Sequence, residues 1–180
     1  MNVVWLAVAM AIASTPARAE DMAAMISQYR REHGLSAVKT DPQLTAVAER
    51  QAKAMAAAGI MDHSVAGPFV ARMSGVRAGT AAENIAAGSK TWAETFRMWQ
   101  TSPGHNANLL QSKADSVGVA VARNDQTRYK TFWAMVIAEK PPERKDRKPA
   151  DARISERRQD SGAFENPISM VKNFVCKYLC

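Results

Sequence analysis

The sequence predicts an α+β fold, a three-layer α-β-α sandwich around a small central antiparallel sheet. Apolar residues recur at helical spacing in the first half of the chain, and segments 116–123 and 129–138 then alternate as strands do. Both faces of these two segments are largely apolar. We therefore expect helices to cover the sheet on both sides.

Capping residues mark the predicted helices. The first helix, over 22–33, should end at Gly34, because glycine readily adopts the left-handed conformation that stops a helix. Asp41 is a good N-cap for the second helix, which should end at Gly59. A shorter helix is predicted over 69–76.

The second half of the domain is predicted to mix one helix with the strands. Segment 91–94 matches a capping box, so a helix should begin there. Pro103-Gly104 is expected to end this helix, which places His105 in the following turn. A third strand is predicted over 83–87, and residues 124–128 should form the hairpin turn between the last two strands.

Composition divides the chain into four parts. Residues 1–19 are typical of an export signal cleaved after Ala19, with an uncleaved anchor as the alternative, so we expect a secreted or periplasmic protein. A globular domain follows over 22–139. Residues 140–160 form a charged linker too poor in apolar residues to fold alone, and 161–180 are predicted to form a short amphipathic helix.

Charge and cysteine content limit the possible functions. The net charge is +7, and no known DNA- or RNA-binding motif accompanies it, so no specific nucleic-acid partner is expected. The two cysteines, Cys176 and Cys180, both lie at the C-terminus, so the domain should fold without disulfides. Their pairing, within one chain or between chains, and the oligomeric state stay open.

Two histidines and one glutamate are the main candidates for a functional site. His63 and His105 occupy turn-rich segments, and Glu83 lies between them along the chain. Two imidazoles and a carboxylate can form a pH-sensitive hydrogen-bonded cluster or bind a divalent metal such as Zn²⁺, with His63 and His105 as ligands. Hydrogen bonds that merely tie loops together are the competing interpretation.

Two neighbouring polar residues complete the candidate site. Ser102 lies three residues before His105, so the pair has the residue types of a nucleophile and its base, although no oxyanion-forming motif accompanies it. Asn84 follows Glu83 and is expected to hydrogen-bond turn backbone. A binding protein is favoured over an enzyme, and no residue is assigned a catalytic role.

Several segments together resemble the CAP superfamily of cysteine-rich secretory, antigen 5 and pathogenesis-related 1 proteins (the SCP domain), in its bacterial secreted branch. The matching segments, in chain order, are Ile26-Ser27-Gln28-Tyr29-Arg30 with His33-Gly34-Leu35, Asp41 through Met55, Met61-Asp62-His63-Ser64, Ala82-Glu83-Asn84-Ile85, Trp99 with Ser102-Pro103-Gly104-His105, Val117-Gly118-Val119-Ala120 and Phe132-Trp133-Ala134-Met135-Val136. The resemblance implies an α-β-α sandwich with a groove lined by two histidines and acidic residues. His63, Glu83 and His105 match three of these positions, and Ser102 stands where eukaryotic members have a second glutamate.

The resemblance also implies a range of functions. Family members are linked to lipid or sterol binding, to proteolysis and to protein recognition. We therefore expect a small apolar or lipid-like ligand, a divalent metal or an envelope component to bind the groove, with a metal-dependent hydrolase as the first alternative. The second alternative is an interaction protein whose basic C-terminal tail contacts a membrane surface or a partner protein.

Overall fold

The structure, a computed structural model, describes residues 19–141 of the chain. The predicted signal up to residue 18, the linker and C-terminal helix beyond residue 141, and both cysteines lie outside the described residues. Over 19–141, no helix has both the length and the apolar character needed to cross a lipid bilayer.

Helices and a single sheet make up the described part of the chain. The elements are α1 (Ala19–Glu32), β1 (Lys39–Thr40), α2 (Pro42–Ala58), α3 (Phe69–Arg72), β2 (Ala81–Ala87), α4 (Trp92–Thr101), α5 (Pro103–Leu109), β3 (Ser116–Asn124) and β4 (Lys130–Ala138). The strand order is β1-β3-β4-β2. Strands β2, β4 and β3 are antiparallel, and the short β1 adds to β3 in parallel. The predicted α+β fold is confirmed.

Two apolar clusters cover the two faces of the sheet. On one face, α1 and α4 pack against the strands through a cluster that includes Ile26, Trp92, Phe96, Trp99, Val117 and Met135. On the other face, α2 packs through a cluster that includes Leu44, Val47, Met55, Phe132 and Val136. The sheet is therefore buried between two helical layers, as its apolar faces predicted.

Helix α2 lies directly on the sheet, and its ends have the predicted caps. The Asp41 carboxylate accepts from the Leu44 N–H at 2.9 Å, and Gly59 ends the helix with a φ of +69°. Beneath the first turn lies Gly118 of β3. A Cβ at Gly118 would stand 2.1 Å from the backbone nitrogen of Thr45, so only glycine permits this close contact.

A buried arginine fastens the segment after α5 to α1. The Arg30 guanidinium is fully buried, and it donates to the carbonyl oxygens of Ser36, Leu109, Gln111 and Ala114 at 2.8–2.9 Å. Burial lowers the pKa of Arg30 from its ordinary value. Because Leu109 is the last residue of α5, this contact fixes the C-terminal end of that helix.

Two local predictions were wrong. The helix expected over 69–76 ends at Arg72, because Gly75 adopts a φ of +84° and the chain turns away. His105 lies within α5 rather than in a turn. Ser102 has an extended conformation that ends α4, but Pro103 then begins a new helix, since its fixed φ suits a first helical turn.

Replacing Gly118 with alanine should destabilise the domain strongly, because the added methyl group would meet the α2 backbone. We expect Gly118→Ala to lower the free energy of unfolding by about 3 kcal/mol. Ala122→Gly on the same strand is the control, and it should cost only about 0.5–1 kcal/mol. Urea denaturation of both variants checks this, and equal losses would contradict the close contact between α2 and β3.

Candidate functional site

His63 and Glu83 form the first contact of the site. The loop after α2 brings His63 Nδ1 to 2.8 Å from Glu83 Oε1 on β2. The Glu83 side chain is 3% exposed, whereas that of His63 is 42% exposed. An ionised carboxylate only accepts hydrogen bonds, so His63 Nδ1 carries the proton and, in the neutral ring, Nε2 keeps a lone pair for a ligand.

Arg72 at the end of α3 neutralises Glu83. Its Nη1 donates to Glu83 Oε2 at 2.6 Å, and its Nη2 donates to Oε1 at 2.8 Å, a bidentate pair. The same guanidinium donates to the carbonyl oxygens of His63 and Gly67 at 3.0 and 3.1 Å. Arg72 therefore holds both the carboxylate and the loop that carries His63.

His105 joins the site from α5. Its Nδ1 lies 3.0 Å from Ser102 Oγ. The Asn84 side chain donates to the His105 carbonyl oxygen at 3.0 Å, and Asn108 donates to Asn84 Oδ1 at 2.8 Å. Asn84 thus lies in a strand and bonds helical backbone, so its predicted contact with turn backbone was wrong.

The two imidazoles share one electrostatic environment. The pKa of His105 is lowered from its ordinary 6.5, first by burial and then by electrostatic repulsion from His63. The centres of the His105 and Trp99 rings lie 6.5 Å apart, so His105 packs near the core. The five predicted site residues thus form two hydrogen-bonded groups, His63 with Glu83, and Asn84 and Ser102 with His105, and the two groups are coupled electrostatically through the imidazoles.

The acidic side chain next to His63, that of Asp62, has a structural role in its own loop. Ser64 donates both its backbone N–H and its hydroxyl to Asp62, and these bonds lower the pKa of Asp62. Within residues 19–141, no group of three or more His, Cys, Asp or Glu side chains is arranged to hold a metal ion. A metal at this site would have His63 and His105 as its protein ligands, with Glu83 behind His63.

Two residues of the site were not predicted. Arg72 is the only charged residue between His63 and Arg77. A single cation in an apolar segment near a candidate carboxylate could have indicated an ion pair with that carboxylate. Asn108 lies one helical turn after His105, but this signal needs α5 to be known.

The fold is that of solved SCP domains. An outer surface protein from Borrelia burgdorferi superposes with a TM-score of 0.60 at 16% identity, over 67% of this chain and 90% of that one. An extracellular protein containing an SCP domain from Bacillus anthracis superposes with a TM-score of 0.58 at 25% identity, over 66% of this chain and 39% of that one. At 16% identity the first similarity shows the fold alone.

Sequence comparison identifies the family. The profile of the cysteine-rich secretory protein family, CAP, matches residues 23–137, which is more than half of the chain. The chain therefore belongs to the CAP family. The uncharacterised protein YkwD of Bacillus subtilis is 32% identical over 94 residues, covering 50% of this chain and 37% of YkwD. The similar region thus spans well under two thirds of that relative.

The lowered pKa of His105 predicts a pH-dependent stability. The folded state resists protonation of His105, whereas the unfolded chain takes up the proton near pH 6.5. The contribution of neutral His105 is therefore complete above pH 6.5 and is lost as the pH falls below it. We expect His105→Gln to show a smaller loss of unfolding free energy between pH 7.5 and pH 5 than the wild type. Urea denaturation at both pH values measures this, and equal losses would contradict a depressed pKa.

Proposed function

We propose that the chain is a CAP-domain binding protein that works outside the cytoplasm and contacts its ligand through His63 and His105. The main support for this proposal is that Arg72 and His63 hydrogen-bond to both carboxylate oxygens of Glu83. Glu83 then orients His63, whose half-exposed ring presents Nε2 to a ligand. This arrangement suits recognition, because it holds the ring in one orientation and leaves Nε2 free of hydrogen bonds within the site.

The same observation favours binding over hydrolysis. A general base must reach the proton that it abstracts and must have a lone pair free for it. Glu83 is buried and already accepts three short hydrogen bonds from Arg72 and His63. A hydrolase that uses Glu83 as its base would first have to break the ion pair with Arg72.

A divalent metal is one candidate class of ligand, for which the two histidines supply part of the coordination. Zn²⁺ prefers tetrahedral sites with three or four protein ligands, and here two imidazoles would bind it. Glu83 behind His63 supplies the carboxylate partner that commonly orients a metal-binding histidine. We therefore expect weak binding, with solvent or a second ligand in the remaining positions.

A small apolar ligand, or the apolar part of an envelope component, is the other class of ligand in the proposal. A groove of about 230 Å³ between α1 and α4 is lined by Met25, Gln28, Tyr29, Glu32, Ala93, Phe96 and Gln100. Its volume is below the roughly 300–1,000 Å³ of drug-sized pockets. Tyr29 links the groove to the helix that carries His105, since its hydroxyl donates to Asn106 of α5 at 2.9 Å.

The proposed location rests on two further observations. Residues 1–19 have the pattern of an export signal. The similar structures include an outer surface protein and an extracellular protein, and these descriptions apply to those proteins. A secreted or periplasmic location agrees with both.

A metal-dependent or serine hydrolase is the second candidate, and one contact favours it. Ser102 Oγ lies 3.0 Å from His105 Nδ1, within the reach of a nucleophile and its base. The hypothesis of a functional C-terminal tail stays a prediction, since residues 142–180 lie outside the described part of the chain.

Removing both imidazoles should abolish metal binding and leave the fold intact. We expect His63→Ala/His105→Ala to lose the Zn²⁺-dependent heat of binding in calorimetry, while its circular dichroism matches the wild type. His33→Ala is the matched control, because that exposed ring contacts Tyr29 rather than the candidate site residues. The control should bind Zn²⁺ as the wild type does.

Two outcomes would contradict this proposal. Unfolding of the double variant would show that the histidines mainly tie loops together. Turnover of ester or peptide substrates that disappears in Ser102→Ala would favour the hydrolase. Under the binding proposal, Ser102→Ala keeps Zn²⁺ binding and no turnover is seen in either protein.

A further inference from the structure

The end of the sheet where β3 turns into β4 carries an exposed surface that combines cations with apolar side chains. We call it the hairpin-end surface and define it by Ile60, Lys90, Arg123, Arg128, Tyr129 and Lys130. All six residues are exposed. This surface shares no residue with the candidate site.

Cations from three segments meet on this surface. Lys130 is the register partner of Asn124, next to Arg123, at the closed end of the hairpin. The Arg123 guanidinium reaches to 3.5 Å from the carbonyl oxygen of Lys90, in the loop between β2 and α4. Arg128 Cζ lies 5.9 Å from the centre of the Tyr129 ring. Asn124, the partner of Lys130, faces α2 and Arg123 faces the loop before α4, so the cations lie on both sides of the closed end of the hairpin.

The end of α2 brings an exposed aliphatic side chain to the same surface. Asn124 donates to the Ala56 carbonyl oxygen at 2.8 Å, and a Cβ at Gly59 would lie 3.3 Å from Thr127 Cγ2. Ile60 follows directly, and it is 55% exposed, while Tyr129 is 37% exposed. Both side chains can therefore be reached from solvent.

Positive charge is in excess at the hairpin-end surface. Within residues 19–141, none of its four cations forms a salt bridge. The acidic residues at this end are Asp125 in the turn and Glu94, whose carboxylate accepts from the Lys90 N–H at 2.9 Å. At the opposite end of the sheet, by contrast, Lys140 pairs with Asp41 at 2.9 Å.

We infer that the hairpin-end surface docks on an anionic lipid leaflet. Unpaired Lys and Arg are attracted to anionic headgroups, and tyrosine favours the level of the headgroups, where its ring is apolar and its hydroxyl stays hydrated. An isoleucine beside them can enter the boundary of the acyl chains. A purely anionic polymer would be recognised by the cations alone, so exposed Ile60 and Tyr129 favour the lipid surface.

Sedimentation of the full chain with vesicles tests the charged part of this inference. The vesicles contain equal amounts of phosphatidylglycerol and phosphatidylcholine, or phosphatidylcholine alone. Arg123→Gln/Arg128→Gln should weaken binding to the anionic vesicles roughly 30-fold, about fivefold for each cation. Lys39→Gln/Lys113→Gln is the matched control, since it removes the same charge near the start of β3, at the other end of the sheet. Any contribution of the C-terminal tail is common to all these variants.

Apolar variants separate a lipid surface from other anionic partners. Ile60→Ser/Tyr129→Ser should weaken binding to the anionic vesicles several-fold, whereas Val70→Ser, at an exposed residue of α3, should not. The inference is overturned if the two charge variants weaken binding equally, if Ile60→Ser/Tyr129→Ser binds as the wild type does, or if phosphatidylcholine alone binds as tightly. It is also overturned if the wild type binds neither kind of vesicle.

Discussion

A carboxylate buried at the centre of the candidate site must be surrounded by donors, because an unpaired buried charge is very costly. Glu83 meets this constraint through the Arg72 guanidinium and the His63 ring. The same guanidinium bonds carbonyl oxygens of the loop between α2 and α3, which has little regular structure of its own. The position of His63 therefore depends on the ion pair between Arg72 and Glu83.

This dependence determines which groups of the candidate site can meet a ligand. Glu83 acts by holding His63, so the groups left to meet a ligand are the two imidazoles and Ser102. The pKa of His105 is lowered by burial and by His63, which keeps that ring neutral and able to accept or to ligate. The proposed binding through the imidazoles would leave these contacts intact, whereas acid–base catalysis by Glu83 would break them.

Local sequence signals, such as helix caps and alternating apolar residues, predicted more of the fold than of the site. Asp41 and Gly59 define α2 by capping, and alternation predicted β3 and β4, because these signals act between near neighbours. The meeting of His63, Glu83 and His105 was expected only from the family resemblance, since spacing along the chain does not determine it. Arg30 could not be predicted, because its carbonyl partners on the α5 side lie 79–84 residues away. His105 was misplaced because a proline can end one helix and also begin the next.

The tautomer of His63 tests the central claim most directly. Long-range ¹H–¹⁵N NMR of the ¹⁵N-labelled protein at pH 7.5 reports which ring nitrogen carries the proton. If Arg72 holds Glu83 as an anion against the ring, His63 is protonated at Nδ1 and bare at Nε2. A proton on Nε2, or a ring that averages between both tautomers, would contradict the account.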